Sequence, residues 1–123
     1  MTPEQHANWK RDARLRNEIL QMLDRSKQNH CGGWLTLPFI FDVLQGFAIS
    51  DQQVSDIDHA LGLCRDLVTL GYIQEEDNRE DRDQDFKQHL TFKLTRDGVR
   101  FINRELPATR MIDDGRIVKG AMG

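Results

Sequence analysis

The sequence predicts an α+β, mainly α fold: three helices, a two-stranded hairpin and a C-terminal helix. Three observations lead there. Apolar residues recur at helical spacing up to about Leu70. The period then switches to strict alternation around Leu90, Phe92 and Leu94. Finally, Thr95-Arg96-Asp97-Gly98 reopens a helical pattern that Pro107 is placed to stop.

The first helix is expected over residues 3–27. Thr2 and Gln5 form a Thr-x-x-Gln capping box, with Pro3 at the first helical position. Leu15, Ile19, Met22 and Leu23 then give it an apolar face, and Gly32-Gly33 follows as a breaker. Trp34-Leu35 offers only a minor strand. Thr36 caps a second helix that tolerates Pro38 in its first turn, carries Ile40, Val43, Leu44 and Phe47, and meets Gly46 at its end. Ser50 and Gln53 read as a second capping box, opening a third helix that runs to Leu70. Its expected buried face is Val54, Ile57, Leu61, Cys64 and Val68, flanked by Ala60 and Leu67, with Gly71 closing it.

Tyr72–Glu75 reads as the first hairpin strand and Phe86–Thr95 as the second, with a polar, highly charged loop between them. The final helix presents Val99, Ile102 and Leu106 on one face. Residues 1–107 therefore read as one domain, consistent with a chain of 123 residues. Residues 108–123 lack periodicity and are expected to be a flexible tail.

Composition narrows the function classes. No apolar run approaches the roughly 18 residues of a membrane span, and the polar N-terminus lacks a secretory core, so no membrane role and a cytoplasmic location are expected. Cys31 and Cys64 make no disulfide framework, and pairing them with His30 and His59 gives no zinc-type spacing. There is no phosphate loop, no Gly-x-Ser-x-Gly elbow and no calcium loop. Neither catalysis, a cofactor nor a metal is expected.

The net charge of −3 is strongly segregated. Residues 75–86 hold seven acids against Arg79 and Arg82, whereas residues 87–123 hold eight basic side chains against four acids. Lys10, Arg11, Arg14 and Arg16 cluster on the first helix. Such asymmetry bears on partners rather than on fold.

The third helix and hairpin, with Leu70-Gly71-Tyr72-Ile73 before the acidic loop and Leu94-Thr95-Arg96-Asp97-Gly98 after it, resemble the winged helix-turn-helix regulators of the arsenic-repressor and multiple-antibiotic-resistance types. The likeness spans residues 10–106 and is strongest over 54–102. The layout also resembles, more loosely, small winged-helix proteins of Mu-like prophages. The resemblance implies a transcriptional regulator, a homodimer and double-stranded DNA as partner. Its third helix would enter the major groove with Gln52, Gln53, Ser55, Asp56 and His59 facing bases. Lys87, Lys93 and Arg96 would add contacts from the second wing strand and the start of the last helix.

The acids of the third helix and wing depart from that pattern, because affinity for DNA comes largely from neutralising phosphates. The alternative expectation is a protein-interaction module that uses its acidic wing on a basic partner. Trp9, Arg79 and Arg82 are its candidate contact residues.

Overall fold

The computed structural model describes residues 2–46 and 54–118. It is an α+β structure with a small three-stranded antiparallel sheet, and about half of the described residues are helical. The elements run α1 (Pro3–Arg25), β1 (Leu35–Thr36), α2 (Leu37–Gln45), α3 (Ile57–Thr69), β2 (Ile73–Asp77), α4 (Phe86–His89), β3 (Leu90–Leu94) and α5 (Arg96–Ile102). No helix among the described residues is long and apolar enough to cross a membrane.

The Thr2–Gln5 capping box forms as expected, both halves present. Thr36 caps α2 by accepting the Phe39 N–H, and Gly46 ends it. The minor strand acquires a larger role than its length suggested. Leu35 and Thr36 pair with Phe92 and Thr91, so the hairpin becomes a sheet of order β1-β3-β2. On the other side of β3, Ile73 faces Leu94 and Glu75 faces Phe92.

Leu15, Ile19, Leu20 and Leu23 of α1 meet Leu37, Ile40 and Leu44 of α2 in the core. Leu63, Cys64 and Leu67 of α3, Phe92 of β3 and Phe101 of α5 complete its centre. Burial pushes the Cys64 thiol far above its ordinary range, which keeps it protonated and inert.

The join between α3 and β2 explains the Leu-Gly-Tyr-Ile run. Gly71, at φ 85°, takes the left-handed position after the helix. The Tyr72 N–H then reaches back to the Leu67 carbonyl and the Gly71 N–H to that of Val68, a Schellman closure. Tyr72 is thereby placed to stack on Phe101, ring centroids 4.7 Å apart. Its carbonyl accepts the Thr95 N–H at 3.1 Å. The Thr95 hydroxyl donates to the Gly71 carbonyl at 2.6 Å while accepting the Gly98 N–H at 3.1 Å. Gly98 lies against the Tyr72 carbonyl so closely that a Cβ there would collide with it. The Leu-Thr-x-x-Gly run is thus a docking device for α5 against the α3–β2 turn.

Several boundaries differ from the sequence expectation. The third helix begins at Ile57, capped by Asp56, whose carboxylate accepts the His59 N–H. Ser55 therefore precedes the helix, and the Ser50–Gln53 box lies outside the described residues. The buried arc of α3 is Ala60, Leu61, Leu63, Cys64 and Leu67, while Ile57 and Val68 are only partly covered. The arc is displaced because α3 is packed against α1, α2 and β2 together.

The expected strand Phe86–Thr95 starts instead with the short α4, which Asp85 caps by accepting the Lys87 N–H. Phe86 lies within about 6 Å of the charged ends of Arg65, Arg79 and Lys87, an apolar ring under three cations. The last helix ends at Ile102 rather than near Pro107, because Arg104 turns the chain at φ 62°.

Residues 108–118, expected to be a flexible tail, lie against α1. Ile112 is buried and the Asp113 N–H bonds the Ala13 carbonyl at 3.0 Å.

Candidate interaction surfaces

Three surfaces carry the charged and aromatic residues of interest: the outer face of α3 with the hairpin, the outer face of the sheet, and α1 with the tail.

On α3 the solvent stripe is Asp58, Gly62, Arg65 and Thr69. Its two charges are spoken for. Asp58 pairs with Lys87 of α4, and Arg65 forms a two-toothed bridge to Glu75 of β2, with N–O distances of 3.1 and 3.3 Å. The β2–α4 loop is itself well ordered by short-range bonds. Arg79 holds Asp77 at 2.8 Å, keeping that carboxyl below its ordinary range. The Asn78 side chain donates to the Thr91 hydroxyl, and Gln84 accepts the Glu80 and Asp81 N–H groups. Arg82 is exposed and has no ion-pair partner among the described residues. Between Ser55 and Lys87, setting aside Asp66 and the outward-facing Glu76, eight carboxylates stand against four cations. This face is therefore net acidic even after its internal pairs are formed.

The expected base-reading residues are placed differently from one another. Gln52 and Gln53 lie outside the described residues. His59 is turned inward between α3 and α1, its side chain 16% exposed. The Ser55 backbone N–H donates to its Nδ1 at 3.1 Å, so Nδ1 is the acceptor and Nε2 carries the proton. Nε2 then donates to Asp12 of α1 at 2.8 Å. His59 is a brace between two helices, not a group offered to a groove. Ser55, Asp12 and His59 share the residue types of a hydrolytic triad. However, the Nδ1 lone pair that would take the serine proton is already shared with the Ser55 backbone N–H.

Lys93 is separated from α3 by the sheet. Lys93 projects from the outer sheet face over the Trp34 ring at 5.9 Å, and Arg96 is exposed at the start of α5. Lys87 alone of the three expected phosphate contacts touches α3, and there it neutralises Asp58.

The α1 surface divides in two. Arg16, grouped in the sequence with the basic cluster, is buried at 5% exposure. Its Nε and Nη2 donate to Asp66 of α3 at 3.1 and 2.8 Å, and its Nη1 donates to the Met111 carbonyl at 3.0 Å. One guanidinium thus ties together α1, α3 and the tail. The signal was present in the sequence: Arg16 sits within the apolar arc that includes Ala13, Leu20 and Leu23. Trp9, a candidate partner contact, is 37% exposed and lies beside Arg110 and Met111 of the tail. Lys10, Arg11 and Arg14 line a neighbouring surface cavity on α1, and Lys10 also borders the cavity beside Trp9.

Further along the tail, Arg116 packs over Phe101 at 4.8 Å and donates to the Leu106 carbonyl at 2.7 Å. Its Nη2 lies 2.8 Å from Asp114. Burial pushes the Asp114 carboxyl up, but hydrogen bonds from Arg116 outweigh it and the net shift is downward.

Among the described residues no three His, Cys, Asp or Glu side chains converge as a metal-binding group. No protein-family model, no curated protein and no solved structure matches the chain.

Proposed function

We propose that this chain is a winged-helix domain that docks a basic protein surface through its α3–hairpin face. The order α1-β1-α2-α3-β2-α4-β3-α5, with β3 central in the sheet, supports the winged-helix part of the reading. The function rests on a single observation. The two charges on the outward stripe of α3, Asp58 and Arg65, are already paired to the hairpin, and the surrounding loop leaves Glu80, Asp81 and Asp83 exposed. A surface of this kind repels a phosphate backbone at close approach, and it attracts Lys- and Arg-rich protein by charge complementarity.

The test compares two probes on the full chain at low salt: a fluorescein-labelled random-sequence duplex and a labelled Lys/Arg-rich peptide. Salt-sensitive peptide binding that disappears when Glu80, Asp81 and Asp83 are neutralised supports the reading. Duplex binding weakened by Arg65→Ala or Lys87→Ala overturns it.

A second reading is favoured by the convergence of Lys10, Arg11 and Arg14 on one outward cavity of α1. In it the domain is a DNA-binding transcriptional regulator that grips the duplex from α1 instead of from the wing. Duplex binding that is lost on Lys10→Glu and Arg14→Glu, and unaffected at Arg65, distinguishes it.

A further inference from the structure

The groove between the N-terminal half of α1 and the tail shares only Lys10 with the second reading. It consists of two adjoining cavities, of about 230 and 430 Å³, that share His6, Trp9 and Arg110. The buried Ala13 and Ile112 also line it, giving it an apolar component. The Arg16 guanidinium lies 5.6 Å from the centre of the Trp9 ring, and the indole keeps 37% exposure.

The charges around the indole are predominantly positive. Lys10 and Arg110 both line the groove and are exposed, and neither has an ion-pair partner among the described residues. Asp113 is the one carboxylate lining the groove among those residues, and it is 3.4 Å from Arg14. An open indole with two uncompensated cations is complementary to a flat ring that carries a negative group. The ring stacks on the indole, and the anion takes charge-assisted hydrogen bonds. The volumes are of the order that small-ligand sites occupy.

We propose that this groove binds a small aromatic anion, its ring on Trp9 and its phosphate or carboxylate held by Lys10 and Arg110. The chemistry is shared by mononucleotides and aromatic carboxylic acids, and the experiment separates them. In the full chain, Trp34→Phe leaves Trp9 as the sole tryptophan, so its indole N–H gives one assigned NMR cross-peak. Adenosine monophosphate and benzoate are titrated separately, with adenosine and benzamide as uncharged controls.

A saturable shift of the Trp9 indole and of the Ala13 and Ile112 amides is expected with at least one anion and not with its uncharged control. A response to the nucleotide alone assigns a phosphate, and a response to benzoate alone assigns a carboxylate. Arg110→Glu is expected to weaken binding by about tenfold or more. Lys10→Glu, on an exposed helical position, provides the same test should Arg110→Glu disturb the tail. No saturable shift with either anion overturns the proposal, as does affinity unchanged by both charge reversals. Binding that appears only after residues 119–123 are removed overturns it too, because the groove then belongs to the end of this chain.

Discussion

Replacing Gly98 by alanine isolates the contact on which α5 docking depends. In an ordinary helix this change is favourable, by roughly 1 kcal/mol of backbone propensity. Here the new Cβ would collide with the Tyr72 carbonyl oxygen and lie 2.9 Å from Leu94 Cδ2. The carbonyl has no freedom to retreat, since it sits in the α3–β2 turn and accepts the Thr95 N–H.

Relief requires α5 to move away. That strains the Thr95–Tyr72 hydrogen bond and the Thr95 hydroxyl bond to Gly71, each worth about 1 kcal/mol. It also opens the packing around Phe101, which is 1% exposed. Overpacking of this kind costs about 1–3 kcal/mol, and with the weakened bonds we expect a net loss of about 3 kcal/mol. For a domain of this size that is a fall of roughly 10 °C in Tm.

Gly62 provides the control. It lies on the exposed stripe of α3, and a Cβ there meets nothing within 4 Å, so Gly62→Ala is expected to stabilise by about 0.5–1 kcal/mol. Urea denaturation followed by circular dichroism measures both. Gly98→Ala within about 0.5 kcal/mol of wild type would refute the close approach, and destabilisation by Gly62→Ala would refute the placement of α3.

Two further predictions concern the attachment of the tail. Asp66→Ala leaves the Arg16 guanidinium buried with only the Met111 carbonyl as partner; Asp66 is itself 40% exposed, so the loss is discounted for solvent screening to about 1–3 kcal/mol. Denaturant unfolding of the single variant, compared with Arg16→Met/Asp66→Ala, checks it, because removing both charges should recover part of the loss. The Asp114 carboxyl titrates below its ordinary value of 3.8, so its pairing with Arg116 stabilises the fold above that pH and is lost as pH falls through the lower folded value. Asp114→Asn should therefore reduce stability at pH 7 and make little difference well below pH 3.8. Equal effects at both values would contradict the sign.

The sequence by itself was sufficient for the local events. Thr2, Thr36 and Thr95 each cap the helix expected of them, and Gly71 ends α3, because capping and left-handed turns depend on a few adjacent residues. The alternation at Leu90, Phe92 and Leu94 likewise places the central strand.

What tertiary structure alone decided were the pairings between distant segments. His59 has the sequence context of a solvated helical residue, yet Asp12, on another helix, holds its ring once the Ser55 N–H has set the tautomer. Phe86 reads as strand, but the Asp85 cap and the cations packed around the ring give it a helical turn. The tail has no periodicity because Ile112 and Arg116 pack as single side chains rather than as a face. The acidic character of the hairpin was legible from composition. Which of those charges remain open to a partner depended on Arg65 and Lys87, whose reach across the fold no sequence spacing encodes.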